Sequence, residues 1–90
     1  MTIKYILFSY PNCAECDRLK QCLKETDIDG EEYNLILKES KLKIREFIKV
    51  IKRDIKGAII IPTLVLQDGE EVVAVLNNRE ELEKWLKSKD

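Results

Sequence analysis

Apolar residues crowd positions 3–8, Ile3-Lys4-Tyr5-Ile6-Leu7-Phe8, densely enough to predict a strand at a buried, central position of a sheet. Pro11 and Asn12 then mark a turn. From about Cys13 to Thr26 the period changes. Cys16, Leu19, Cys22 and Leu23 recur three and four residues apart, which predicts a helix with one buried face. Asp29-Gly30 closes this unit, and Glu32-Tyr33-Asn34-Leu35-Ile36-Leu37 reads as a second strand.

Between Ser40 and Ile55 the helical period returns through Ile44, Phe47, Ile48, Ile51 and Ile55, with Ser40 as N-cap and Gly57 as C-terminal stop. Residues 63–66 and 71–76 read as strands joined by Asp68-Gly69, a two-residue hairpin signal. Asn78 with Glu81 three residues on resembles a capping box for a last helix over 79–88, whose inner stripe is Leu82, Trp85 and Leu86. A helix between the first two strands requires them to be parallel, and the hairpin requires the last two to be antiparallel. The pattern predicts one α/β domain over residues 1–90, β-α-β-α-β-β-α, with a four-stranded mixed sheet flanked by helices.

Composition narrows the chemistry. Ninety residues suffice for one core without staples, and the hydrophobic fraction of 44% and charged fraction of 37% are those of a soluble globule. A net charge of −1 favours neither nucleic acid nor an anionic membrane. No apolar stretch approaches the ~20 residues that span a bilayer. The first residues enter a strand directly, with no signal-peptide pattern. Three cysteines fit poorly with a structural disulfide framework, and these features together point to a reducing compartment such as the cytoplasm. The chain has no histidine, which excludes Ser–His and Cys–His triads and histidine-rich metal centres.

Cys13-Ala14-Glu15-Cys16 lies where the first strand gives way to the first helix. Unpaired N–H groups and the helix dipole favour a negative sulfur there, and no other nucleophile is evident. The competing readings are half of a zinc site, or two incidental thiols at a helix start. A structural zinc commonly takes four ligands, and only Cys22 remains, on the same helix, which disfavours a zinc site within one chain more than a metal shared between two chains. Pro62, inside the apolar run Ile59-Ile60-Ile61-Pro62-Thr63, has two readings: the start of an edge strand, or a cis-proline loop facing the cysteines.

Strand–CxxC–helix, Ile61-Pro62 before a hairpin and a short terminal helix together resemble the glutaredoxins of the thioredoxin-fold superfamily, over essentially the whole chain. The resemblance implies that Cys13 is the attacking thiolate and Cys16 the resolving thiol, that Pro62 is cis beside the sulfurs, and that the Ile61 backbone pairs with an extended substrate. It implies disulfide-containing proteins or glutathione mixed disulfides as substrates. Glutathione or a thioredoxin reductase would be the electron donor, with no tightly bound cofactor, no nucleic-acid or membrane partner, and a monomer.

The chain departs from the family at several positions. Tyr10, Ala14 and Glu15 stand where many glutaredoxins have a lysine, a proline and an aromatic. Tyr10 can contact substrate but brings no cation, and Glu15 opposes ionisation of Cys13 while the helix N-terminus promotes it. Asn77-Asn78 replace the glycine pair of glutathione-binding relatives. The resemblance sets Glu80 or Glu81 against a glutathione ammonium, and plain helix capping is the alternative. Two further readings remain open: a protein that holds a shared iron–sulfur cluster through Cys13, with or without glutathione, and an adaptor without turnover. Cys22, Phe47 and Trp85 read as core residues. The basic run from Lys41 to Lys56 reads as a solvated face or a docking patch for an acidic partner.

Overall fold

The two most buried strands sit side by side in the middle of the sheet, where both of their faces are covered. A computed structural model describes residues 3–88. In chain order the elements are β1 (Ile3–Ser9), α1 (Ala14–Lys24), β2 (Asp29–Asn34), α2 (Lys38–Ile44), a 3₁₀ turn (Arg45–Phe47), β3 (Thr63–Asp68), β4 (Glu71–Leu76) and α3 (Arg79–Ser88). The sheet order is β2-β1-β3-β4. β1 runs parallel to β2 and antiparallel to β3, and β4 is antiparallel to β3. This is the mixed four-stranded α/β architecture that the pattern predicts.

Alternation along β1 divides the core. Ile6 and Phe8 pack with Val65, Leu35, Ile44, Phe47 and Ile51 on the face covered by α2 and the segment after it. Leu7 packs on the other face with Leu64, Leu66, Leu19, Cys22, Leu23 and Leu82, under α1 and α3. Among the described residues, no helix is long and apolar enough to cross a membrane.

The second strand begins three residues earlier than its hydrophobic pattern predicts and ends at Asn34. Asp29, Gly30, Glu31 and Glu32 are exposed, so no apolar signal marks them; pairing with β1, from Lys4 opposite Asp29 to Ser9 opposite Asn34, makes the strand. Gly30 is therefore a strand residue and not a turn. A Cβ there would collide with the Tyr5 carbonyl and ring. Acidic residues on this edge also discourage pairing with another chain.

The helix predicted over Ser40–Ile55 is regular only from Lys38 to Ile44. Its N-cap is Leu37, and Ser40 lies buried inside it. The path loosens but keeps an Ile51 N–H to Phe47 C=O bond of 3.0 Å, so Ile44, Phe47 and Ile51 are buried as the period requires. Ile55 is not: the chain has turned away and leaves it wholly exposed. Gly57 adopts φ +84° in the turn between Arg53 and Ile59, which bridge antiparallel, and does not stop a helix.

The β3–β4 hairpin forms as predicted, shifted by one residue. Asp68 pairs with Glu71, so Gly69 and Glu70 are the central pair, with Gly69 at φ +64°. The Asn78 side chain caps α3 by accepting the Glu81 N–H at 2.8 Å. The Glu81 carboxylate returns to the Asn77 N–H at 2.6 Å, one residue before the usual partner.

Candidate active site

The end of β1 delivers the chain to the cysteines through a tight reversal. Asn12 takes φ 58°, a left-handed conformation that asparagine tolerates better than most residues. Cys13 follows as the N-cap of α1, with extended backbone at φ −109° and ψ 107°. Its sulfur accepts the Cys16 N–H at 3.1 Å, satisfying one of the free donors of the first helical turn.

Cys13 and Cys16 form a disulfide with their Cα atoms 5.2 Å apart. The two cysteines differ in access. Cys13 is partly exposed, whereas Cys16 is only 1% exposed beneath it. Cys22, two turns along α1, is a free thiol buried among Leu19 and Leu23, and burial pushes it up from the usual thiol range.

The Ile61–Pro62 peptide is cis, and Pro62 is fully buried. Phe8 pairs with Thr63, the last pair of the β1–β3 ladder, so Pro62 enters β3 at the end of β1 from which the CxxC loop leaves. Among the described residues, no hydrogen bond engages the backbone of Ile61. Tyr10 and Ile61 meet in one groove of about 360 Å³, whose other walls are Leu35, Lys41, Ile44, Ala58 and Ile59. A smaller hollow around Tyr5, Gly30 and Gln67 lies at the opposite end of β1, away from the cysteines.

Glu15 does not stand as a bare charge beside Cys13. One carboxylate oxygen is 2.8 Å from the Arg18 guanidinium and the other accepts the Arg79 N–H at 3.1 Å, at the start of α3. Arg18 also reaches Glu80 at 2.8 Å and holds that carboxyl below its usual range. Glu81 is taken up by the Asn77 N–H and by Lys52 at 3.5 Å. Glu80 and Glu81 thus enter protein contacts of their own.

Asn77 is the site residue that the sequence reading passed over. It is buried, and its Nδ2 donates to the Pro62 carbonyl at 3.0 Å, with 3.4 Å approaches to the Ile60 carbonyl and Thr63 Oγ1. Thr63 Oγ1 also donates to the Ile60 carbonyl, at 2.5 Å. Asn77 and Thr63 together clamp the proline loop from behind. Asn77 Oδ1 is buried and meets no partner among the described residues. From sequence, Asn77 stood only as half of a pair in the place of two glycines, which concealed this role. Lys41, Leu35 and Ile59 were also missed as groove residues, because only the fold brings their segments together.

No family model and no curated sequence matches the chain. Solved structures do resemble it. One, described as the structure of a malarial protein, has a TM-score of 0.66 and 15% identity, covering 98% of this chain and 97% of the other. Another is thioredoxin-2, a component of the malaria parasite protein secretion machinery, with a TM-score of 0.64 and 18% identity over 97% of this chain and 82% of the other. At such identities the likeness is one of fold. The chain has the thioredoxin fold, and the Cys13–Cys16 disulfide sits on it with CxxC spacing.

Proposed function

We propose that this protein is a small glutaredoxin-like dithiol oxidoreductase that reduces disulfides of other proteins. The observation that carries the reading is the Cys13–Cys16 pair at the N-cap of α1, one cysteine partly exposed and the other buried, on the strand end that the cis-proline flanks. In the reduced protein the Cys16 N–H and the helix N-terminus stabilise a Cys13 thiolate. That thiolate attacks one sulfur of the substrate disulfide, and the other sulfur leaves as a thiolate and takes a proton from water. Cys16, deprotonated, then attacks the Cys13 sulfur of the mixed disulfide. The second substrate thiolate departs, and the Cys13–Cys16 disulfide has taken up the oxidising equivalent of two electrons. Fixing both thiols one helical turn apart makes the second step intramolecular.

Tyr10, Ile61 and Pro62 form the substrate side of the site. The free backbone of Ile61 pairs with an extended segment, and the groove beside Tyr10 takes the neighbouring side chain. Glutathione or a thioredoxin reductase returns the electrons, without a tightly bound cofactor. Engagement of Glu80 by Arg18 and of Glu81 by Asn77 and Lys52 supports protein disulfides and a thioredoxin reductase over glutathione, whose ammonium would have to displace those contacts. The reaction suits a monomer in the cytoplasm, without membrane or nucleic-acid partners.

Reduction of a model protein disulfide, recycled in parallel by glutathione with its reductase and by thioredoxin with its reductase, tests this. Turnover is expected in both or in the thioredoxin-coupled assay alone. Absence of turnover in both overturns the proposal.

A further inference from the structure

Eight of the chain's 16 lysines and arginines lie between Lys38 and Lys56, against three acidic residues. That stretch carries a net +5, while the rest of the chain carries −6. Lys43 pairs with Glu46 and Lys52 with Glu81. Among the described residues, Lys41, Arg53 and Lys56 enter no ion pair.

The end of this stretch is a built turn. The Ile60 N–H meets the Lys52 carbonyl at 3.4 Å, Arg53 bridges Ile59, and the Asp54 N–H donates to the Ala58 carbonyl at 2.8 Å. The Asp54 carboxylate accepts the N–H groups of Lys56 and Ala58 at 2.9 and 3.0 Å. Both bonds end on Oδ1, and among the described residues Asp54 forms no ion pair with Arg53 or Lys56. At the tip Ile55 is 101% exposed, held outward between Asp54 and Lys56. Ile55 buries none of its side chain within this chain, which leaves its apolar surface open to a partner. The returning arm then supplies Ala58, Ile59 and Ile61 to the groove that Tyr10 and Lys41 also line.

We infer that the turn 52–58 is a docking face for an acidic protein surface. Ile55 enters an apolar depression of the partner, while Arg53, Lys56 and Lys41 meet its carboxylates. The inference rests on the oxidoreductase reading in one respect: the docked partner is the protein whose disulfide is offered to Cys13. An isoleucine among cations also suits an anionic membrane. Continuity with the groove favours a protein, because one partner then covers the turn and the apolar walls together.

Two disulfide-bridged peptides of equal length and apolar content, one with glutamates around the bridge and one with lysines, test the idea. They are offered to protein reduced with dithiothreitol and then desalted. The acidic peptide is expected to react roughly tenfold faster at low salt, an advantage that fades towards about 0.5 M NaCl. The triple variant Arg53→Glu, Ile55→Ser, Lys56→Glu is expected to reverse the preference and leave reduction of a small neutral dialkyl disulfide unchanged. Equal rates for the two peptides, or a preference that survives in the triple variant, overturns the docking face. Fluorescence anisotropy of the same peptides on the oxidised protein follows docking without turnover. Salt-sensitive binding of the acidic peptide with no reduction of any disulfide keeps the docking face and sinks the oxidoreductase reading; turnover of the neutral disulfide without charge preference does the reverse. Co-sedimentation with phosphatidylcholine vesicles containing about one-fifth phosphatidylserine, if it requires Ile55 while neither peptide is preferred, replaces the protein partner by a membrane.

Discussion

The segments 13–26 and 40–55 carry the same helical period, yet only the first became the helix it announced. α1 starts on a side-chain cap from Cys13, buries Leu19, Cys22 and Leu23 against the sheet, and packs alongside α3. The second segment has no side-chain cap, is rich in β-branched residues that favour helix less, and must return the chain to Pro62. It places Ile44, Phe47 and Ile51 in the core, then turns at Asp54. The period therefore reports which side chains face the sheet. It does not report how long the backbone stays regular, which depends on caps and on where the chain must go next.

The largest test of the contrast is chemical. Cys13→Ser at the head of α1 is expected to abolish turnover, whereas Cys16→Ser should leave the first attack intact and accumulate a mixed disulfide visible by intact mass. A Cys16→Ser protein that turns over normally on a protein disulfide would remove the resolving role.

Within the second segment, Phe47→Ala should destabilise the fold by about 3–5 kcal/mol in urea denaturation, as for other buried aromatics. Ile55→Ala, eight residues on in the same pattern, should stay within about 0.5 kcal/mol. Similar losses at both positions would restore the long helix. A smaller effect is expected at the turn that ends the segment. Asp54→Ala removes the acceptor for two N–H groups that water then solvates, a loss of about 0.5–1.5 kcal/mol by the same measurement.

The smallest concerns how α1 is tied to the edge strand. Lys20 lies 3.1 Å from Glu32, which also accepts the buried Ser9 hydroxyl at 2.6 Å. Burial opposes ionisation of Glu32, but Ser9 and Lys20 prevail and hold its carboxyl below its ordinary value of 4.5. A lowered folded-state value means that the contribution is present above pH 4.5 and disappears as pH falls through the lowered value. Partial exposure keeps it under about 1 kcal/mol. Glu32→Gln should flatten the acid limb of the stability–pH curve; an unchanged limb would remove this tie.

The central strands, the CxxC position, the hairpin and the α3 cap were legible because each rests on a local rule: dense apolar runs, helical spacing, glycine in a turn, and asparagine with glutamate at a helix start. The start of β2 was not legible, since Asp29 to Glu32 carry no apolar signal and become a strand only by pairing with β1. The engagement of Glu80 by Arg18, 62 residues away in sequence, was equally hidden. So was the clamp of Asn77 on the proline loop.

By itself the sequence determined what must be buried and where two thiols meet a helix start, because hydrophobic period and capping chemistry act over a few residues. Tertiary structure alone decided the polar edge strand, the length of α2, and which carboxylates near the cysteines are already occupied. Those outcomes depend on contacts between segments distant in the chain, whose energies appear only once the sheet has brought the segments together.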